Sequence, residues 1–205
     1  MAWLPVSCWL PWRSWGHKAI NADETAYWLD DVIPVDLEFK NIEGHRVGLA
    51  ALDDDQSLAV TCDFADVDTG LAHAEQGIDV RCELLAVART GQAEVAAAVS
   101  AASSLLTKAA GVLPAQPGLL LPNLFGEKDE RFAHLSVRHG MLIAPYLWGG
   151  QTPQVVEVKR LTLVCQLLML TDAEYAFAVD EGVPALQNAV AEHGIDLLDW
   201  QRSES

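Results

Sequence analysis

The apolar run at 167–170, "LLML", stops at Thr171, and the residues that follow, "TDAEYAFAVDEG", change to helical character. Such a junction commits the chain to an extended apolar segment that turns at once into a helix. Thr171 and Glu174 have the T-x-x-E spacing of a capping box. In that arrangement the Thr hydroxyl accepts from the Glu174 backbone N–H, and the Glu174 carboxylate reaches back to the Thr171 N–H. Loss of such a Thr cap typically costs ~1 kcal/mol. Asp172 falls in the first turn, where the helix dipole favours negative charge. The pairs Asp172/Glu174 and Asp180/Glu181 are therefore expected to be a cap, dipole partners and solvated helix-end charges, not a catalytic pair.

Upstream, "DVRCELLAVAR" (79–89) is nearly continuous in apolar residues, which predicts a central strand. Residues 22–33 read as a short amphipathic helix stopped by Pro34. "VDLEFKNI", "HRVGLAAL" and "SLAVTCDF" read as three strands, separated by "EG" and "DDDQ". Over 92–110 the period changes: Val95, Val99, Ala102, Leu106 and Ala109 share one helical face, and Gly111 supplies the stop. "FAHLSVR" and "MLIAPYLW" read as adjacent strands joined by a turn at His139-Gly140. "QVVEVKRLTLVCQLLML" is extended, as two strands or one strongly bent strand. Helices at 172–181 and 184–193 close the pattern. The second has Pro184 in its first turn, Gly194 after its last, and an apolar face of Leu186, Ala189, Val190 and His193. The order of strands, helix, strands, helices predicts an α+β fold with a mixed, largely antiparallel sheet flanked by helices.

Residues 19–205 are expected to form one domain. Residues 1–18, "MAWLPVSCWLPWRSWGHK", read as an atypical Trp-rich N-terminal extension. They lack a basic leading region, are interrupted by Pro5 and Pro11, and contain Arg13, so they make a poor signal peptide. An interfacial anchor is the sharper alternative for them. No apolar run approaches the roughly 18–20 residues of a membrane-spanning helix.

The net charge of −16 is unevenly spread: residues 19–80 carry fifteen acidic side chains against Lys40 and Arg46. Such a field repels nucleic acid and anionic membranes and speeds encounter with basic partners. Solubility alone is the plainer reading. Within this segment, "LDDDQS" and "CDFADVDTG" place Asp53, Asp54, Asp55, Asp63, Asp66 and Asp68 on adjacent predicted loops. The spacing lacks the pattern and closing Glu of a calcium loop, and turn chemistry accounts for Asp here. An acidic docking surface is the sharper reading of these six residues.

Cys8, Cys62, Cys82 and Cys165 have no C-x-x-C spacing, and the last three sit in apolar runs where buried free thiols are common. With no secretion signal, reduced thiols in the cytoplasm are expected. The chain has no G-x-S-x-G, no phosphate-binding glycine loop, no dinucleotide fingerprint and no H-E-x-x-H. His134 and His139, five apart, read as hydrogen-bonded hairpin histidines in preference to a metal pair. No catalytic, cofactor-binding or metal-ligating residue is assigned.

From 79 to 202 the order of motifs resembles the bacterial suppressor-of-fused domain, of the immunity-protein type. The matching pieces are "VRCELLAVA", the long helix, "PGLLLPNLF" after a Pro/Gly turn, "FAHLSVRHGMLIAPYLW", and "RLTLVCQLLMLTDAEYAFAVDEGVPALQNAVAEHGIDLLDWQR". Met169 departs from the pattern, where a Pro is expected before the Thr, and the first ~75 residues match poorly. The resemblance implies a non-enzymatic binding module. Animal relatives hold a transcription factor by clamping a peptide that adds as a strand, and bacterial members often lie beside polymorphic toxins as their immunity proteins. The expected partner is a cognate toxin with a basic active-site face, of nuclease or ADP-ribosyltransferase class, with neither nucleic acid nor membrane bound. A regulatory scaffold of the same fold with an endogenous partner, and an enzyme with a site outside the known motifs, are the alternatives.

Overall fold

A computed structural model describes residues 20–73, 77–126, 129–148 and 152–203; the Trp-rich extension at 1–18, with Cys8, lies outside them. The first element, α1 (Ala22–Val32), starts on a capping box: the Asn21 side chain accepts from the Asp23 and Glu24 N–H groups, and the Glu24 carboxylate accepts from the Asn21 N–H. Ahead of it, Ile20 is clamped from the far side of the sequence. Its N–H donates to Glu157 at 2.7 Å and its carbonyl accepts from Arg160 at 2.8 Å.

β1 (Glu38–Ile42), β2 (His45–Ala51), β3 (Ser57–Thr61) and β4 (Asp79–Ala88) form an antiparallel meander. Glu43 and Gly44 join β1 to β2, both at positive φ (51° and 89°), the conformation that a tight hairpin turn demands. After α2 (Gln92–Lys108) come β5 (Leu120–Leu121), β6 (Val137–Ile143), β7 (Gln154–Val156) and β8 (Arg160–Thr171). The sheet order is β1-β2-β3-β4-β8-β6-β5, with β7 also paired to β8. Among the described strands only β4–β8 is parallel, so the sheet is mixed and largely antiparallel, as the residues predict. The extended segment 154–170 resolves into two paired strands, β7 and β8.

Side-chain alternation along β8 assigns the two faces. Cys165, Leu167 and Met169 join the core under α2, with Leu84, Ala86, Val99, Leu106 and Trp200. Val164 packs with Leu29 of α1 and with Ile33 just after it, and Leu168 and Leu170 pack with α3 (Asp172–Glu181) and α4 (Val183–His193) through Ala178 and Leu186. One helix thus covers one face, and α1 and the α3–α4 pair share the other. Within α4, Leu186 is buried as expected, whereas His193 is exposed and bonds the Ala189 carbonyl of its own helix.

Two expectations change. His139-Gly140 is not a turn: it lies inside β6, which runs unbroken from Val137 to Ile143 apart from a bulge between Val137 and His139. A Cβ on Gly140 would stand 2.7 Å from Leu124 Cδ1 and 2.8 Å from Leu167 Cδ1, so glycine is there to admit neighbours across the sheet. Residues 132–136 are correspondingly not a strand; a 3₁₀ turn, Glu130–Phe132, occupies the start of that stretch. No helix among the described residues is long and apolar enough to cross a membrane.

Beyond α4 the chain rounds the end of the sheet. Leu198 accepts from the Arg89 N–H on the α1 side, and Trp200, 1% exposed, sits in the core on the α2 side, where its carbonyl accepts from the Ser136 N–H.

Candidate protein-binding surface

The β2–β3 connection builds the first half of the acidic surface. Leu52 N–H donates to Gln56 O at 2.8 Å and Gln56 N–H donates to Asp53 O at 3.4 Å. Asp54 and Asp55 between them have φ of 59° and 56°. Two consecutive central residues at positive φ are what a type I′ turn requires, and Asp is among the few side chains that tolerate it. Asp53, Asp54 and Asp55 are exposed on this turn. Arg46, Arg81, Arg89, Arg131, Arg160 and Arg202 all pair with other carboxylates, and among the described residues the tip has no intramolecular cation.

Asp63, Asp66 and Asp68 follow β3 and so lie at the opposite end of the same hairpin. Five strand residues at ~3.3 Å each separate the two groups by roughly 17 Å. The predicted loops are therefore neighbours in sequence and not in space, because an antiparallel strand stands between them. The second group is also occupied. Asp63 accepts from the Arg46 N–H at 2.8 Å and faces His45 at 3.6 Å. Asp66 lies 3.8 Å from Arg160, and Asp68 lies 3.3 Å from Arg81 while accepting from the Gly70 N–H.

Beneath this second loop is a carboxylate that sequence reasoning passed over. Glu83, the lone acid within the apolar run of β4, is fully buried. Its Oε2 accepts from Thr61 Oγ1 at 2.6 Å and from the Phe64 N–H at 3.1 Å, and its Oε1 accepts from the Ala65 N–H at 3.2 Å. Burial pushes the carboxyl up to about 8, against those three hydrogen bonds, and the Asp63 charge adds to the rise. Glu83 thereby pins the 3₁₀ turn Phe64–Asp66 to the sheet. Burial, reinforced by Glu83, also pushes the neighbouring Cys62 thiol up to about 12. Cys62, Cys82 and Cys165 are all buried and free.

The histidines hold structure separately. His139 on β6 accepts from the Asn123 N–H at 3.1 Å, meets Asp172 at 2.9 Å and stacks on Tyr175 at 4.1 Å, whereas His134 faces Glu94 at 3.6 Å. Among the described residues no three His, Cys, Asp or Glu side chains converge to hold a metal ion. The predicted capping box at Thr171 and Glu174 is present. Asp180 and Glu181 are exposed, but Glu174 is not merely a solvated cap. Arg202 grips both its oxygens at 2.8 and 2.5 Å, and also donates to the Met169 and Asp199 carbonyls.

This architecture is a suppressor-of-fused-like fold. In particular, the chain is similar to the suppressor-of-fused (SUFU) homolog from Neisseria gonorrhoeae FA 1090, with a TM-score of 0.58 and 18% identity over 88% of this chain and 93% of that one. It is also similar to a chain of the Sufu–Fu complex, with a TM-score of 0.52 and 12% identity over 86% of this chain and 80% of that one. No protein-family model matches the chain, and no curated protein matches it by sequence.

Proposed function

We propose that this chain is a non-enzymatic, cytoplasmic binding protein of the immunity type, which covers the basic active-site face of a cognate bacterial toxin. The observation that carries this reading is the Asp53–Asp55 tip: three adjacent exposed carboxylates with no intramolecular cation among the described residues. A partner's Lys or Arg side chains would find these charges unneutralised, and a negative field around them speeds encounter. Asp63, Asp66 and Asp68, already facing His45, Arg160 and Arg81, would add to the field more than to the contact. Among the described residues the carboxyl that burial shifts most strongly is Glu83, and its complete burial seals it from substrate, which favours binding over catalysis.

The test starts from the neighbouring genes: where one encodes a secreted protein with a C-terminal toxin domain, that domain is co-expressed with this chain. Wild-type protein should restore growth, and a variant with Lys at 53, 54 and 55 should not while keeping its thermal transition. A wild-type chain that gives no protection overturns the immunity reading. One observation favours a second reading, a regulatory scaffold with an endogenous partner: a structural neighbour was solved as the Sufu–Fu complex. Purification from the native cell separates the two, because a scaffold returns with an endogenous regulatory protein and an immunity protein with a toxin.

A further inference from the structure

The sheet face opposite α2 is partly open beside α4 and the 195–198 segment. Two adjoining cavities of about 280 and 190 Å³ lie there and share Tyr146, Leu168 and Leu197 as walls. Val87, Leu147 and Leu198 extend the apolar lining of the larger one. Gln166, 3% exposed and on the same side of β8 as Leu168, supplies a polar group in that lining, and its Oε1 accepts from the Tyr146 N–H at 3.0 Å. That bond fixes a rim on which Tyr146 and Leu147 remain 65% and 43% exposed.

Gln56 also lines the larger cavity, and Gln56 closes the turn that carries Asp53, Asp54 and Asp55. The unneutralised acidic tip therefore stands at one end of an apolar trough. Asp196 is a lining residue too, but Arg89 already holds it and keeps its carboxyl below the usual range. We propose that trough and tip together are the docking site for one segment of a partner protein. That segment would lay a large apolar side chain between Tyr146 and Leu168 and set a Lys or Arg against Asp53–Asp55. The inference rests on the binding reading above and adds where, and by what chemistry, the partner is held.

The surface itself selects this occupant. A small molecule filling the cavity would leave the exposed sides of Tyr146 and Leu147 in water, whereas a peptide segment covers cavity and rim together. A second copy of the chain would bring two acidic tips to one interface in a molecule of net charge −16, which repulsion opposes.

The experiment uses the full chain and labelled synthetic peptides of about twelve residues, read by fluorescence anisotropy at low and moderate salt. One peptide carries a central Leu-Leu flanked by Lys, one has Ser for Leu, and one has Glu for Lys. The first should bind, and each of the others should bind at least about tenfold more weakly. Y146E/L147E, at exposed positions and checked for an unchanged thermal transition, and D54N/D55G, whose residues suit the turn's positive φ, should each weaken the first peptide about tenfold. Equal binding of the Leu and Ser peptides, or indifference to Y146E/L147E, overturns the trough. If Y146E/L147E still protects against the toxin and the Lys-substituted tip does not, the trough falls while the acidic-surface reading stands. A chain that sediments as a dimer and becomes monomeric in Y146E/L147E also overturns the proposal, because the occupant is then a second copy.

Discussion

Arg202 closes on Glu174 through both carboxylate oxygens, at 2.8 and 2.5 Å, with the two side chains 8% and 11% exposed. The same carboxylate caps α3 by accepting from the Thr171 N–H at 2.9 Å. One side chain therefore ties the start of a helix, the end of β8 and the chain beyond Trp200 into a single polar knot.

R202A leaves that carboxylate with its cap alone in a nearly dry site. The expected loss is about 3 kcal/mol of unfolding free energy, or roughly 10 °C in Tm. Urea titration with an unchanged slope and a lower midpoint is the readout; a loss below about 1 kcal/mol would mean the knot is ornamental.

Glu83 sets a pH dependence. Its folded value of about 8 lies far above the usual carboxyl value of 4.5, so the folded state holds a proton that the unfolded state releases. The stability this gives is complete below about pH 4.5 and is lost as pH rises through 8. Chemical denaturation should show the wild type losing a few kcal/mol between pH 5 and 9 from this group, and E83Q should flatten that fall. Parallel pH profiles for the two proteins would remove Glu83 as the cause.

The acidic tip carries backbone strain along with its charge. Asp54 and Asp55 both sit at positive φ, which costs a non-glycine residue roughly 1 kcal/mol or more. D54N/D55G should therefore hold or raise Tm by a few degrees while slowing association with a basic partner and flattening its salt dependence. A drop in Tm would show that the carboxylates support the hairpin itself.

Gly140 reports on the packing of β6. G140A must displace both Leu124 and Leu167, each buried, from contacts of 2.7 and 2.8 Å, at an expected cost of 1–3 kcal/mol, as overpacking in cores typically brings, or about 3–10 °C. A neutral substitution would show that these leucines shift freely.

Locally determined features were legible in the residues. The apolar strand at 79–88, the helix after Gly91 and the capping box at Thr171 each rest on spacings within one element, and each is present. Features set by register or by distant partners were not. His139-Gly140 carries a turn signal, yet the glycine answers leucines 16 and 27 positions away. The acidic loops look adjacent because only β3 lies between them, and an antiparallel strand of that length sends them to opposite ends of the hairpin. Glu83 was visible as the lone acid in an apolar strand, but its donors come from Thr61, Phe64 and Ala65. The trough gathers Gln56, Val87, Tyr146, Leu168 and Leu197 from five separate segments, which no local pattern announces.

The position of β8 carries a consequence for synthesis. It lies between β4 and β6 in the sheet, yet it is the last of the described strands to be made. Until β8 has been made, the apolar β4 has no strand of this chain to pair with on that side. A nascent chain with an open, apolar strand edge is a template for pairing with its neighbours. The acidic residues crowded into 19–80 precede that edge in the chain, and their like charge opposes the approach of one such edge to another.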